Sequence, residues 1–139
     1  MGRLEDVLFQ AQQRAQQNNY AYAGALTPHE AFEVLQNNPS AILVDVRSRA
    51  ELDLVGKVPQ ATHIEWAFYP GMVANPDFAQ TLQAQVDDDM TVIFMCRTGA
   101  RSHNAAVLAQ QLGYNKAYNM LEGFEGEPNA LKQRTLING

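Results

Sequence analysis

The sequence contains one cysteine in 139 residues. A lone cysteine excludes an internal disulfide framework, and a reducing cytoplasm is the expected setting. Histidine is scarce too. Three scattered histidines beside that cysteine do not make up a structural zinc site, and no metal or cofactor is expected. Positive charge is in deficit: 10 Lys and Arg stand against 15 Asp and Glu, a net charge of -5. That balance argues against nucleic acid as a partner, because phosphate binding needs a basic face. It leaves room for a small basic pocket and an anionic substrate. No apolar run approaches the roughly 20 residues of a membrane helix. Met1 to Gln17, rich in Gln and charge, lacks the apolar stretch of a signal peptide, so neither membrane nor export is expected.

What is present is enough apolar side chain, 46 % of the residues, for one real core in a chain of one-domain length. Leu4, Val7, Leu8, Ala11 and Ala15 recur at helical spacing, which predicts an amphipathic helix over residues 4–17. Residues 1–22 read as this helix and its lead-in, and residues 23–139 as the domain proper, the whole forming one globular unit. The helix is expected to pack on its own domain, with mediating a dimer as the alternative. Thr27-Pro28-His29-Glu30 is a capping box with proline at the first helical position, opening a helix to about Gln36. Ala41 to Val46 is a short apolar, β-branched run that predicts a buried strand. Ser48 to Glu51 is a second capping box, opening a short helix that ends near Gly56. Thr62 to Trp66 reads as another strand. Asn75-Pro76-Asp77 opens a helix through Phe78, Leu82 and Val86, with acids in its first turn. Asp87-Asp88-Asp89 reads as a solvated loop. Thr91 to Met95 is the clearest strand, followed by a helix with Ala105, Leu108, Ala109 and Leu112 on one face and Gly113 as its C′ residue. Ala117 to Met120 predicts the last strand. Strands alternating with helices imply an α/β domain, with a mostly parallel sheet of about five strands covered on both faces.

The cysteine stands where such a fold binds ligands. Cys96 closes the strongest strand, at the carboxyl edge of the sheet. A short loop follows it, and then a helix N-terminus whose amides favour an anion. Arg97 and Arg101 flank the loop, and Gly99 lets its backbone curl so that several amides converge. Each factor stabilises a thiolate over a thiol, and the thiolate is the nucleophile. A lone cysteine is more often a small buried hydrophobe, and either arginine alone reads as a surface or structural residue. Their convergence on one loop after a strand is what points to chemistry. His63 and His103 have the look of general bases, but an ionised cysteine needs none. Trp66, Phe68 and Tyr69 read as packing, with Trp66 and Phe124 as candidates for a pocket rim.

Cys96-Arg97-Thr98-Gly99-Ala100-Arg101-Ser102 resembles the active-site loop of the rhodanese family. Asp45-Val46-Arg47 with Glu51 resembles its Asp-x-Arg…Glu signature. Gly56 to Ile64 resembles its Gly-His-Ile-Pro-Gly-Ala segment, with Gln60 where the family usually has Gly. Leu121 to Gly126 sits where the family places a Gly-Gly segment, here Gly123-Phe124. The resemblance runs from about Leu26 to Gly126. It implies a rhodanese-like fold and a thiosulfate sulfurtransferase of the single-domain bacterial kind. Cys96 would be the catalytic nucleophile and would hold a persulfide. Arg97, Thr98, Gly99, Ala100, Arg101 and Ser102 would bind the substrate, with Arg101 serving the donor rather than the fold. Asp45 and Arg47 would be scaffold. The implied partners are a small anionic sulfur donor and a thiol acceptor or sulfur-relay protein. Two other readings compete. Phosphatases and arsenate reductases on a related fold use a Cys-x5-Arg loop, one residue longer than the Cys-x4-Arg here. A module that carries persulfide only with a dedicated partner, or that only regulates, is the non-enzymatic alternative.

Overall fold

The computed structural model describes residues 2–55, 61–68, 73–96 and 100–121. Five helices and seven strands alternate along them: α1 (Arg3–Gln17), β1 (Gly24–Leu26), α2 (Pro28–Asn37), β2 (Ala41–Asp45), α3 (Arg49–Val55), β3 (Thr62–His63), β4 (Ala67–Phe68), β5 (Val73–Ala74), α4 (Phe78–Gln85), β6 (Thr91–Met95), α5 (Ala100–Gln111) and β7 (Ala117–Met120). Five strands form one sheet in the order β1-β7-β6-β2-β3, and every pairing in it is parallel. β4 and β5 make a separate antiparallel ribbon.

The α/β class follows from how the strands alternate. Val92, Phe94 and Cys96 pack with Leu82, Val86, Ala105 and Ala109, on the side of α4 and α5. Ile93 and Met95 point the other way, into a second cluster with Val7 and Ala11 of α1 and Ala31 and Val34 of α2. A central parallel strand buried on both faces has to be apolar at every position, and β6 is fully buried from Thr91 to Met95.

The capping signals read from sequence are met in detail. Thr27 Oγ accepts from the Glu30 amide at 3.2 Å, and Glu30 accepts from the Thr27 amide at 2.9 Å. Ser48 and Glu51 exchange the same pair of bonds at 3.3 and 2.9 Å. Gly113 takes φ +102°, and the amides of Gly113 and Tyr114 reach back to Gln110 and Ala109, which closes α5 as a Schellman turn. The Tyr114 hydroxyl then donates to Val86 O at 2.7 Å, joining the ends of α4 and α5.

One strand has no counterpart in the sequence analysis, and two readings need correction. β1 carries no strand signal, because Gly-Ala-Leu has little β propensity; its place comes from pairing with β7. The strand read over Thr62 to Trp66 is only two residues long, and the chain then turns into the β4–β5 ribbon. Asp77 precedes α4 without a side-chain cap bond, so no acid lies in the first turn. The segment at 56–60, Tyr69 and the chain from 122 onward lie outside the described residues.

α1 packs on its own sheet. It buries Val7, Ala11 and Ala15, and Arg14 donates to Ala25 O at 2.5 Å and to Glu30 at 2.9 Å. Gly24 makes this close approach possible. A Cβ there would stand 2.6 Å from a Tyr118 ring carbon and 2.9 Å from the Ala11 carbonyl carbon. Gly24→Ala should therefore cost about 1–3 kcal/mol by overpacking. Urea unfolding checks this: an unchanged midpoint would mean that α1 does not lie so close.

Candidate active site

Cys96 follows the last residue of β6 directly, and its side chain is fully buried. α5 begins four residues later. The amide of Ser102, in its first turn, has no helical carbonyl to bond and donates to Cys96 Sγ at 3.4 Å. The Ser102 hydroxyl lies 3.4 Å from the same sulfur. The helix thus turns the positive end of its dipole toward the cysteine, an arrangement suited to a sulfur anion.

Arg101 is held by an acid. Its two terminal nitrogens donate to the two Glu51 oxygens at 2.6 and 2.7 Å, joining α5 to the start of α3. Burial pushes the Glu51 carboxyl up, but bonds from Arg101 and Ser48 outweigh it and hold the group at about 2. The Glu51 bond raises Arg101 against its own desolvation. The fork makes Arg101 a tie between two helices, the structural pairing with an acid that the sequence also allowed. Ala100 is exposed at the start of α5. Arg97, Thr98 and Gly99 lie outside the described residues.

Below the cysteine runs a buried polar chain. The Ser102 hydroxyl donates to Asn119 Oδ1 at 2.5 Å, and Asn119 Nδ2 donates to the Tyr22 hydroxyl at 3.4 Å. That hydroxyl lies 2.7 Å from His103 Nδ1. Desolvation pushes Tyr22 up to about 12, against the Asn119 bond, so its hydroxyl is neutral near pH 7. Sequence reasoning missed Asn119 and Tyr22. Asn119 had a usable signal, a polar residue in a buried strand on the same face as Ala117; Tyr22 had none, standing in a segment without periodicity.

The remaining candidates have structural surroundings. Asp45 and Arg47 are each 1 % exposed and form a buried ion pair, Arg47 Nη2 donating to Asp45 at 2.7 Å. Removing Asp45 would strand a buried charge, a loss of about 3–5 kcal/mol. His63 Nε2 donates to Arg47 O at 2.6 Å. Trp66 packs edge-on against Phe78, with ring centroids 4.9 Å apart. Among the described residues no group of His, Cys, Asp and Glu side chains is placed to hold a metal ion, and no helix is long and apolar enough to cross a membrane.

Glu51 makes a pH prediction. Its folded value of about 2 lies below the ordinary 4.5, so it contributes stability at higher pH that is lost as pH falls from 4.5 toward 2. Glu51→Gln should lower stability at pH 7 by about 1–2 kcal/mol, after allowance for solvent screening of a partly exposed pair. It should also flatten the acid limb of the stability curve. Parallel acid limbs in the two proteins, followed by chemical denaturation, would contradict the ion pair.

Comparison with known proteins places these features in context. A family model described as "Rhodanese-like domain" matches residues 27–126. An uncharacterised Rickettsia conorii protein is 36 % identical over 99 residues, covering 70 % of this chain and 80 % of that one. The thiosulfate sulfurtransferase GlpE of Haemophilus influenzae is 31 % identical over 101 residues, covering 73 % and 84 %. Among solved structures, Rv0390 from M. tuberculosis superposes with a TM-score of 0.64 at 40 % identity, covering 76 % of this chain and 83 % of that one. The polysulfide-sulfur transferase homodimer of Wolinella succinogenes gives 0.58 at 28 %, covering 83 % and 80 %.

Proposed function

The chain belongs to the rhodanese-like domain family, and on that premise we propose that it is a sulfurtransferase that carries sulfane sulfur as a persulfide on Cys96. One observation carries the reading: the sulfur of Cys96 lies at the carboxyl end of β6, against the first-turn amide of α5. Similarity to a thiosulfate sulfurtransferase and to a polysulfide-sulfur transferase supports a sulfane-sulfur donor.

In the proposed cycle the Cys96 thiolate attacks the outer sulfur of thiosulfate. A new S–S bond forms, the old one breaks, and sulfite leaves with its electron pair. A nucleophilic acceptor then attacks the outer sulfur of the persulfide. Cyanide leaves as thiocyanate, or a thiol leaves as its own persulfide, and the Cys96 thiolate is restored. This is covalent catalysis in two steps with ping-pong kinetics. Amides of the loop from Arg97 to Ser102 would cradle the persulfide anion, and Arg97 and Arg101 would hold the anionic end of the donor. Neither step needs a metal or cofactor. The setting proposed for this traffic is the cytoplasm, with a small thiol or a sulfur-relay protein as acceptor.

One observation favours a second reading, a persulfide carrier loaded by a dedicated protein. Both terminal nitrogens of Arg101 are taken by Glu51, which offsets the charge that a free anionic donor would seek. Intact mass separates the two. After incubation with thiosulfate the native protein should gain one sulfur atom, lose it on adding cyanide, and show no gain as Cys96→Ser. A gain only with a cysteine desulfurase present would favour the carrier. No gain under either condition would overturn persulfide chemistry altogether.

A further inference from the structure

The charge that meets a sulfur donor at this site belongs to a pair, not to an arginine alone. A donor loads Cys96 at the first turn of α5, where the Ser102 amide lies 3.4 Å from Sγ. Arg101 stands one residue before Ser102, and covalent geometry keeps its guanidinium within about 12 Å of the sulfur. Charges act over such distances without touching. Both terminal nitrogens of Arg101 are bonded to the Glu51 carboxylate, at 2.6 and 2.7 Å. That carboxyl, held at about 2, is ionised throughout the neutral range. The pair therefore presents no net charge to an approaching anion. Asp45 and Arg47, at the end of β2, match one charge with another in the same way. The negative charge at position 51 is also separable from the helix cap. The Ser48 capping box needs only an acceptor there, which glutamine supplies as glutamate does.

We propose that Glu51 is a specificity-determining residue: by cancelling the charge of Arg101 it shifts the preference of Cys96 away from dianionic sulfur donors and toward donors that carry one negative charge or none. The inference rests on the sulfurtransferase reading and refines its donor. Thiosulfate brings two negative charges to the site. An organic thiosulfonate, a hydropolysulfide or a persulfide brings one at its reacting end. The energy of a donor in the field of position 51 is proportional to the donor's charge, so a dianion feels Glu51 twice as strongly as a monoanion does. Glu51 acts through Arg101 and the field at the sulfur, and needs no contact with the donor.

The test follows by intact mass how fast thiosulfate and methanethiosulfonate load Cys96, without an acceptor and at low ionic strength, where screening is weak. Methanethiosulfonate is thiosulfate with a methyl group in place of one oxygen, so it offers the same outer sulfur with one charge instead of two. In both reactions the Cys96 thiolate bonds to that sulfur and the old S–S bond breaks. Sulfite leaves from one donor and methanesulfinate from the other, each with the bonding electron pair. The ratio of the two rates within one protein is independent of how much of it is folded and of how far Cys96 is ionised. In Glu51→Gln, loading by the monoanion should rise about threefold and by the dianion about tenfold, so the ratio of thiosulfate to methanethiosulfonate rises about threefold. Adding Arg101→Gln to that variant makes the site neutral again and should return the ratio to its native value. An unchanged ratio in Glu51→Gln would overturn the inference, because a merely structural tie moves both rates alike. A raised ratio that persists in the double variant would overturn it too. Loading by neither donor in either native protein or Glu51→Gln would instead overturn the reading of Cys96 as a site loaded by small donors, and this inference with it.

Discussion

The double-sided burial of β6 is the constraint on which the rest depends. Its five residues pair with β2 on one edge and β7 on the other, and both faces are covered. Such a strand cannot slide: a shift of one residue would exchange Val92 and Phe94 with Ile93 and Met95 between two differently shaped clusters. The position of Cys96 is therefore set by core packing, not by the loop that follows. The sulfur belongs to the same apolar cluster as Phe94 and Ala105, and its polar partners reach it from α5 and β7.

Around that fixed point, polar side chains from different elements are paired with one another. The Arg101–Glu51 fork braces the start of α5 against the start of α3, and Glu51 at the same time completes the capping box with Ser48. Asp45 and Arg47 satisfy each other at the end of β2, and His63 takes the Arg47 carbonyl. These interactions fix helix starts and strand ends on one edge of the sheet. Low tolerance for movement there is what a preorganised anion site requires.

The N-terminal helix extends the same logic to the far face. Gly24 lets β1 approach α1, and Arg14 links that helix to β1 and α2. Tyr118 lies on this face while its neighbour Asn119 faces the cysteine, so β7 connects the seat of α1 to the polar chain under the site.

Much of this was legible in the sequence. Two capping boxes, the glycine after α5, the apolar runs of β2 and β6 and the alternation of strands with helices depend on neighbours a few residues apart, and they determined the helix starts, the central strands and the α/β class. The setting of Cys96, after a strand and before a helix with basic residues around it, was equally local. The rest was decided by contacts between distant segments. β1 is a strand only because β7 offers it hydrogen bonds, 94 residues on, where Gly24 faces Tyr118. Arg101 meets Glu51 across 50 positions, and Tyr22 meets His103 across 81. No periodicity or propensity encodes such pairings. They form because a parallel sheet brings the carboxyl ends of β2, β6 and β7 together, and buried polar groups must then find partners among whatever that edge collects.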